Sequence, residues 1–526
     1  MNFKDIRRGY RFFLNLKKFI NEGLSNEEII ELIKKRISER EEIFLKEIKR
    51  GIFENKKSPY LKLLKLSHLG YRDIQRLISR NGIEETLKIL KEEGVYLTLK
   101  EFKGKEPVIR KGKRFLFKES DFDNPVLYEG LLLRSGATRS SGTRITIDFS
   151  HLLQIATYRR LIGNIWGLLN KPHIIFHPIF PTGAGIKAFI CLQKNKVPFK
   201  KWISPIDERN SGISWKGKFV VFLITNLGRF YGLKLPQSEH ISFKNILHVV
   251  KYIANLLEYT GSCCVNCSVS SAVRICLEAK ERGIDIKGTI FRASGEPFTS
   301  KKSEIINSVG AKLILHYTFS EVGIVGSLCP RGSFYDDVHF FKDSFALITH
   351  RRRVMDFSVD AFLFTSLLPS TPKILLNVEN GDYGRIETRK CRCLYDDLGF
   401  YDHIYKIRSF EKLTGESMTF YGTELIKICE EILPTKFGGS SLDYQLVEEE
   451  DDTGLIRLNI LVSPDVGQID ENKLIKTVLE ELKRGKDSDK IMAKVWGEAN
   501  TIRVKRDYPI LTKGGKLYPL HIKSKR

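Results

Sequence analysis

The chain has 526 residues, 42% hydrophobic and 11% aromatic, with 87 basic against 63 acidic side chains and a formal charge of +24. That is enough apolar material for two to four domains. No apolar run approaches 20 residues and the start does not read as a leader, which excludes a membrane span and predicts a soluble, cytoplasmic protein. Nine cysteines without a disulfide-like framework suit a reducing compartment.

In chain order, residues 1–120 read as amphipathic helices. Ser25 followed by Glu28 has the spacing of a capping box, and Ile29, Ile30, Leu32 and Ile33 follow at helical intervals. Residues 71–93 have the same texture. Residues 1–120 carry 30 basic and 18 acidic side chains, so 12 of the net 24 charges lie there. A basic surface suits nucleic acid, an acidic membrane or an acidic protein partner. Solvated faces of a Lys-rich chain look the same. No basic run is interleaved with stacking aromatics, so nucleic acid is not the expected partner.

From residue 125 to 375, strand-like runs alternate with helical patterns. "HIIFHPIF", "KFVVFLIT", "GTIFRASG" and "AKLILHY" read as strands, and 270–282 and 300–309 as helices between them. That alternation predicts an α/β domain. After Arg408 come a helix at 423–432, strands "DYQLVEE" and "LIRLNILVS", a helix at 471–484 and the basic strand "ANTIRVKRDYPI". These predict a small α+β domain. The expected divisions are a basic helical extension (1–90), a large α/β domain (91–408) and a small C-terminal domain (409–526).

Several stretches carry chemistry. In "LRSGATRSSGTR" (133–144), Gly136 and Gly142 allow consecutive N–H groups to form an anion nest. Ser135, Thr138, Ser140, Ser141 and Thr143 add hydroxyls, and Arg134, Arg139 and Arg144 add forked charge. A mobile turn would have the same composition, and no Walker pattern is present. "ASGEPFT" places Gly295, Glu296 and Pro297 after a strand. "LILHYTFSEVG" ends a strand in Tyr317, Phe319, Ser320 and Glu321. "VENGDYG" puts Asp382 in an expected turn, and "IRSFEK" puts Arg408 at the change of texture. "YPILTKGGKLYPLH" holds Lys513 and Lys516.

In this order the motifs resemble the adenylate-forming ligase superfamily, nearest its phenylacetate–CoA ligase-like branch, over about residues 90–520. The resemblance implies a large α/β domain of that type, with the helical extension before it and a small mobile α+β domain after it. It also implies that the 133–144 loop cradles ATP phosphates through Ser135, Gly136, Thr138, Arg139, Ser140, Ser141, Gly142, Thr143 and Arg144. The first half matches the family pattern; the second is longer and carries arginines where the family has proline or lysine. Gly295, Glu296 and Pro297 resemble the adenine-pocket turn. Tyr317 or Phe319, with Ser320, resembles the base-stacking motif, although Thr318 replaces the usual glycine. The resemblance assigns Glu321 to Mg²⁺, Asp382 to ribose and Arg408 to the hinge, followed by 409–411. A helix-start carboxylate is the other reading of Glu321. Lys516 resembles the catalytic lysine, with Lys513 as its rival. An ammonium there would stabilise charge as a carboxylate attacks the α-phosphate.

Cys329, His339, Cys391 and Cys393 are types that bind zinc when they meet in space, and the resemblance adds a structural metal at comparable places. Ordinary reduced cysteines are the alternative. Cys263, Cys264 and Cys267 read as small residues packed beside the following helix. The expected activity is ATP-dependent formation of an acyl-adenylate, then transfer to a thiol of CoA or of a phosphopantetheine carrier protein. Its alternatives are an acyl-protein synthetase that docks through the basic N-terminal segment, and a non-catalytic basic binding protein that keeps the fold.

Overall fold

The computed structural model describes residues 12, 14–127, 130–134, 144–178, 183–207, 238–354, 357–410, 413–415, 418–420, 427–484, 487–511, 517 and 520–522. After a helical stretch over 14–21 come α1 (Asn26–Ser38), α2 (Arg40–Ile48), α3 (Pro59–Leu66) and α4 (Tyr71–Glu92). The capping box at α1 forms as its spacing predicts, with Glu28 N–H donating to Ser25 Oγ and Ser25 N–H to Glu28 Oε2. Read from sequence as an extension, α2, α3 and α4 share one apolar core with the large sheet through Phe44, Ile48, Tyr60, Ile78 and Leu87, while Ile29 and Ile33 of α1 pack in a second core with Ile155, Ile314 and Ile324. Polar bonds fix the packing. Arg40 Nε donates to the Lys342 carbonyl at 2.6 Å, and Tyr60 Oη to that of Ile374 at 3.1 Å.

The hairpin β1 (Leu131–Arg134) and β2 (Arg144–Ile147) leads into α5 (Phe149–Ile165). A twelve-stranded sheet follows. Its parallel part consists of β3 (His173–Phe176), β4 (Phe199–Ser204), the short strand β5 (Glu239–His240), β6 (Cys263–Ser268), β7 (Thr289–Ser294) and β8 (Lys312–Phe319). The intervening helices are α6 (Ala184–Lys194), α7 (Leu247–Thr260), α8 (Val269–Arg282) and α9 (Ser300–Ser308). The antiparallel part is β9 (Gly323–Leu328), β10 (Val338–Phe340), β11 (Phe345–Val354), β12 (Phe357–Ser366), β13 (Val378–Thr388) and β14 (Asp402–Ser409). The strand order is 11-12-13-14-10-9-8-7-6-3-4-5. From β3 the chain winds outward to β4 and β5, then returns to the other side at β6. The order therefore reverses between β3 and β6, where open α/β sheets form a crevice at the carboxyl ends of their strands.

"KFVVFLIT" lies outside the described residues. Asp382 is on strand β13 rather than in a turn. Gly381 takes φ +81 and the β13–β14 register shifts between Tyr383 and Arg385, so the turn-like "NGD" marks an irregularity inside a strand. Cys263, Cys264 and Cys267 sit buried on β6, beside α8 as expected. Burial pushes the Cys263 and Cys264 thiols up to about 11 and about 12, the behaviour of inert core thiols.

Past Ser409 a second sheet forms, with β15 (Tyr444–Glu450), β16 (Ile456–Val462), β17 (Ile502–Arg506) and β18 (Leu520–Ile522) in the order 17-16-15-18. Helices α10 (Glu471–Lys483) and α11 (Asp487–Glu498) complete this small α+β unit. It docks on the large domain beside α8 and α9. Arg274 donates to the Ala499 carbonyl at 3.0 Å and Thr299 Oγ1 to Glu450 at 2.7 Å. No helix among the described residues is long and apolar enough to cross a membrane.

Candidate functional site

A cavity of about 310 Å³ opens at the carboxyl ends of the parallel strands. Its wall takes residues from the ends of β3, β4, β6, β7 and β8, from β13 and β14, and Val495 from α11 of the small domain. Gly295, Glu296, Pro297, Tyr317, Phe319, Ser320, Glu321, Asp382 and Arg408 all line it. Stretches spread over more than a hundred residues thus converge on one crevice.

Each is positioned by bonds the backbone dictates. Gly295 at φ +89 turns the chain after β7. The buried Glu296 carboxylate accepts from the Ser270 N–H and Oγ, both at 2.8 Å. It therefore satisfies the first turn of α8, and the backbone of 295–297 forms the cavity wall. Asp382 is the centre of a buried network. Tyr317 Oη donates to its Oδ2 at 2.9 Å, Asn380 Nδ2 to the same oxygen at 2.8 Å, and Ser409 Oγ to its Oδ1 at 2.6 Å. Burial and the Asp382 charge hold the Tyr317 phenol well above its usual range. Phe319 packs against Phe364 with ring centroids 4.9 Å apart. Arg408 donates to Asp336 at 3.3 Å and to Tyr335 Oη at 3.1 Å. Asp336 also accepts from the N–H groups of Lys406 and Ile407, each at 3.0 Å, which fixes the strand carrying Arg408.

Glu321 lies in the turn between β8 and β9, not at a helix start. Its carboxylate is held by the Lys103 ammonium, whose side chain is only 1% exposed and which also pairs with Glu119 at 2.8 Å. Lys103, Asn380 and Asp336 were not legible as site residues, because no local pattern separates them from core or surface polar groups. The phosphate-loop candidates Ser135, Gly136, Thr138, Arg139, Ser140, Ser141, Gly142 and Thr143, and Lys513 and Lys516, lie outside the described residues. Arg134 and Arg144 are paired across the β1–β2 hairpin that closes the loop.

Removing Lys103 leaves two carboxylates without their shared cation. Lys103→Met is expected to destabilise the large domain by about 3 kcal/mol or more. Thermal unfolding would show this as a fall in Tm, partly recovered by adding Glu119→Gln. An unchanged Tm would mean the bridge is not formed.

A second cluster surrounds His339 of β10. The ligand atoms of Cys329, His339, Cys391 and Cys393 all lie within 4.8 Å of one another. His339 Nε2 is 3.5 Å from Cys391 Sγ and 3.2 Å from Cys393 Sγ, and Cys329 Sγ is 3.5 Å from Cys391 Sγ. Tetrahedral zinc with Zn–S near 2.3 Å and Zn–N near 2.0 Å needs ligand separations of roughly 3.5–3.8 Å. His339 Nδ1 faces the Phe400 carbonyl at 2.7 Å, which can only accept, so Nδ1 carries the proton and Nε2 keeps its lone pair for a metal. Asp396 accepts from the N–H groups of Cys391 and Arg392 at 2.7 and 2.6 Å, and Arg392 takes φ +60. The Cys-x-Cys loop is thereby bent so that both sulfurs face His339. The donor set and its outer bonds fit zinc.

No family model and no curated protein matches the sequence. Among solved structures, a 2-hydroxyisobutyryl-CoA ligase in complex with 2-HIB-AMP and CoA aligns over 95% of this chain and 91% of its own, with a TM-score of 0.54 and 12% identity. The chain has the fold of the adenylate-forming ligases. The alignment spans both the large α/β domain and the small C-terminal one. An o-succinylbenzoate CoA synthetase double mutant from Bacillus subtilis also aligns, over 74% of this chain and 68% of its own at 12% identity, with a TM-score of 0.42, too low to carry weight.

Proposed function

We propose that this chain activates a carboxylic acid as an acyl-adenylate and passes the acyl group to a thiol. The observation that carries the reading is the convergence of 295–297, 317–321, Asp382 and Arg408 on one cavity, within a fold shared with a CoA ligase that holds an acyl-AMP. In the first step a carboxylate oxygen bonds to the α-phosphorus of ATP while the α–β bridging bond breaks and pyrophosphate leaves. In the second, the sulfur of CoA or a carrier phosphopantetheine bonds to the acyl carbon and the C–O bond to AMP breaks. Proximity and charge stabilisation carry both steps.

The wall formed by 295–297 and the Tyr317/Phe319 pair would receive the base, and Asp382 the ribose hydroxyls. Glu321 faces the cavity and would hold Mg²⁺, which neutralises phosphate charge when bound. Lys103, beside it, contributes a positive charge at the same place. The 135–143 loop would grip the phosphates, and the segment after Arg408 would act as the hinge of the small domain. The Cys329–His339–Cys391–Cys393 cluster would hold a structural zinc. The ordered motifs support placement nearest the phenylacetate–CoA ligase-like branch.

Asp382→Asn keeps the side-chain shape but puts an N–H group among three donors. It is expected to lower kcat/KM for ATP by about ten- to a hundredfold. Steady-state kinetics with ATP varied would show this, and an unchanged value would remove Asp382 from the nucleotide site. The proposal itself is tested by a panel of carboxylic acids assayed for pyrophosphate release, with and without CoA. Acid-dependent release supports it. Release that depends on no acid, or none with any acid and either thiol, contradicts it.

A further inference from the structure

One wall of the cavity is cationic, and no carboxylate among the described residues reaches it within ion-pair distance; the carboxylate acting on it, Glu321, is paired with Lys103. Helix α5 presents His151, Ile155 and Arg159 at four-residue spacing, which places them on one face. Ile155 and Arg159 line the cavity, as does Lys187 of α6. The β8–β9 turn comes down on this face: a Cβ at Gly323 would stand 3.2 Å from His151 Cε1 and 3.4 Å from Ile155 Cγ1, and Gly323 has φ +94. Glycine is required there for both reasons.

The Lys187 ammonium has no hydrogen bond or ion pair among the described residues. Arg159 donates one N–H to Asn266 Oδ1 at 3.2 Å, while its Nε is buried without a partner. Behind them Arg292 is buried and donates to His316 Nε2 at 2.8 Å, a neutral acceptor. The cavity carboxylates Glu296, Glu321, Asp336 and Asp382 are matched as described, and Glu379 pairs with His350 Nε2 at 2.5 Å. Burial and Arg159 pull the Lys187 ammonium down to about 8 against a weaker opposing pull from the Glu321 carboxylate, and burial pulls His177 on the same wall to about 4. Two half-buried cations on one wall without a directly paired carboxylate are costly unless a ligand supplies the anion.

We infer that the acid bound here carries a second carboxylate, received by Lys187 and the Arg159 fork: the substrate class is a dicarboxylic acid. Arg159, steadied by Asn266, has the planar geometry that suits a carboxylate. A carboxylate clamped by two cations is a poor nucleophile, so the clamp suits the end of the molecule that does not react. The inference rests on the acid-activation reading above.

The test uses glutarate, adipate, isophthalate and terephthalate, each against its half-amide, which has the same shape with one charge less. Binding to the full-length protein by calorimetry is measured beside acid-dependent pyrophosphate exchange. At least one diacid is expected to bind and react about ten- to a hundredfold better than its half-amide. Lys187→Met, similar in length and uncharged, is expected to bring that ratio close to one, and Lys187→Arg to restore part of it. Half-amides that equal the diacids throughout would overturn the inference. So would Lys187→Met costing both classes equally, which would put the lysine on the reacting carboxylate. A diacid preference in binding that Lys187→Met abolishes, with no exchange for any acid, upholds the inference and sinks the activation reading. Exchange with monoacids alone does the reverse.

Discussion

Lys516→Ala is expected to reduce acid-dependent pyrophosphate exchange by about a thousandfold while ATP still binds. As the carboxylate closes on the α-phosphate, negative charge from both partners meets at one place. A fixed ammonium stabilises that arrangement more than the separated reactants, so it acts on rate rather than on ground-state binding. Removing one preorganised donor of this kind costs roughly 10²–10³ in rate, and a full positive charge lies at the upper end. Leu511 and Leu517 bridge antiparallel around the segment that carries Lys513 and Lys516, just before β18. Exchange in Lys516→Ala, Lys513→Ala and the double variant, with ATP binding measured by calorimetry, decides between the two. Full exchange in Lys516→Ala would transfer the role to Lys513 or abolish it.

His339→Ala is expected to release one zinc per chain and lower Tm by about 5 °C. The proposed zinc would be held by two buried thiols, the half-buried Cys391 thiol and the buried imidazole. The cluster also ties the 391–400 segment to β9 and β10. A structural zinc adds its binding free energy to folding, of which a preformed domain realises only part, about 3–5 kcal/mol here. In a domain of about 400 residues, 1 kcal/mol is worth about 1 °C. Metal content by mass spectrometry and thermal unfolding, before and after a chelator, check it. Protein free of metal with a Tm indifferent to chelation and to the substitution would contradict the assignment.

What could be read from sequence divides along the range of the interactions. The Ser25–Glu28 capping box, the turn at Gly295 and the strand ending at Phe319 are local, and their residue types announce them. Asp382 lies on a strand and not in the expected turn, because "NGD" signals a turn and the structure uses the same residues to bend a strand. The packing of α1–α4 on the sheet could not be read: amphipathic spacing says that a face is buried, not against what. The Cys329–His339–Cys391–Cys393 cluster depends on the pairing of β10 with β14, which sets His339 opposite His403. Sequence spacing alone left that open. Lys103 reaches Glu321 across 218 residues, and Lys187 on an amphipathic helix has the pattern of a surface lysine. Charges turned inward look like charges turned outward until the fold is known.

The central claim is that a carboxylate oxygen attacks the α-phosphorus of ATP. It is tested most directly with an acid labelled with ¹⁸O in its carboxylate, incubated with Mg·ATP and a thiol acceptor. The account predicts one labelled oxygen in the AMP released and none in pyrophosphate. Label in orthophosphate with ADP as co-product, or AMP free of label, would contradict it.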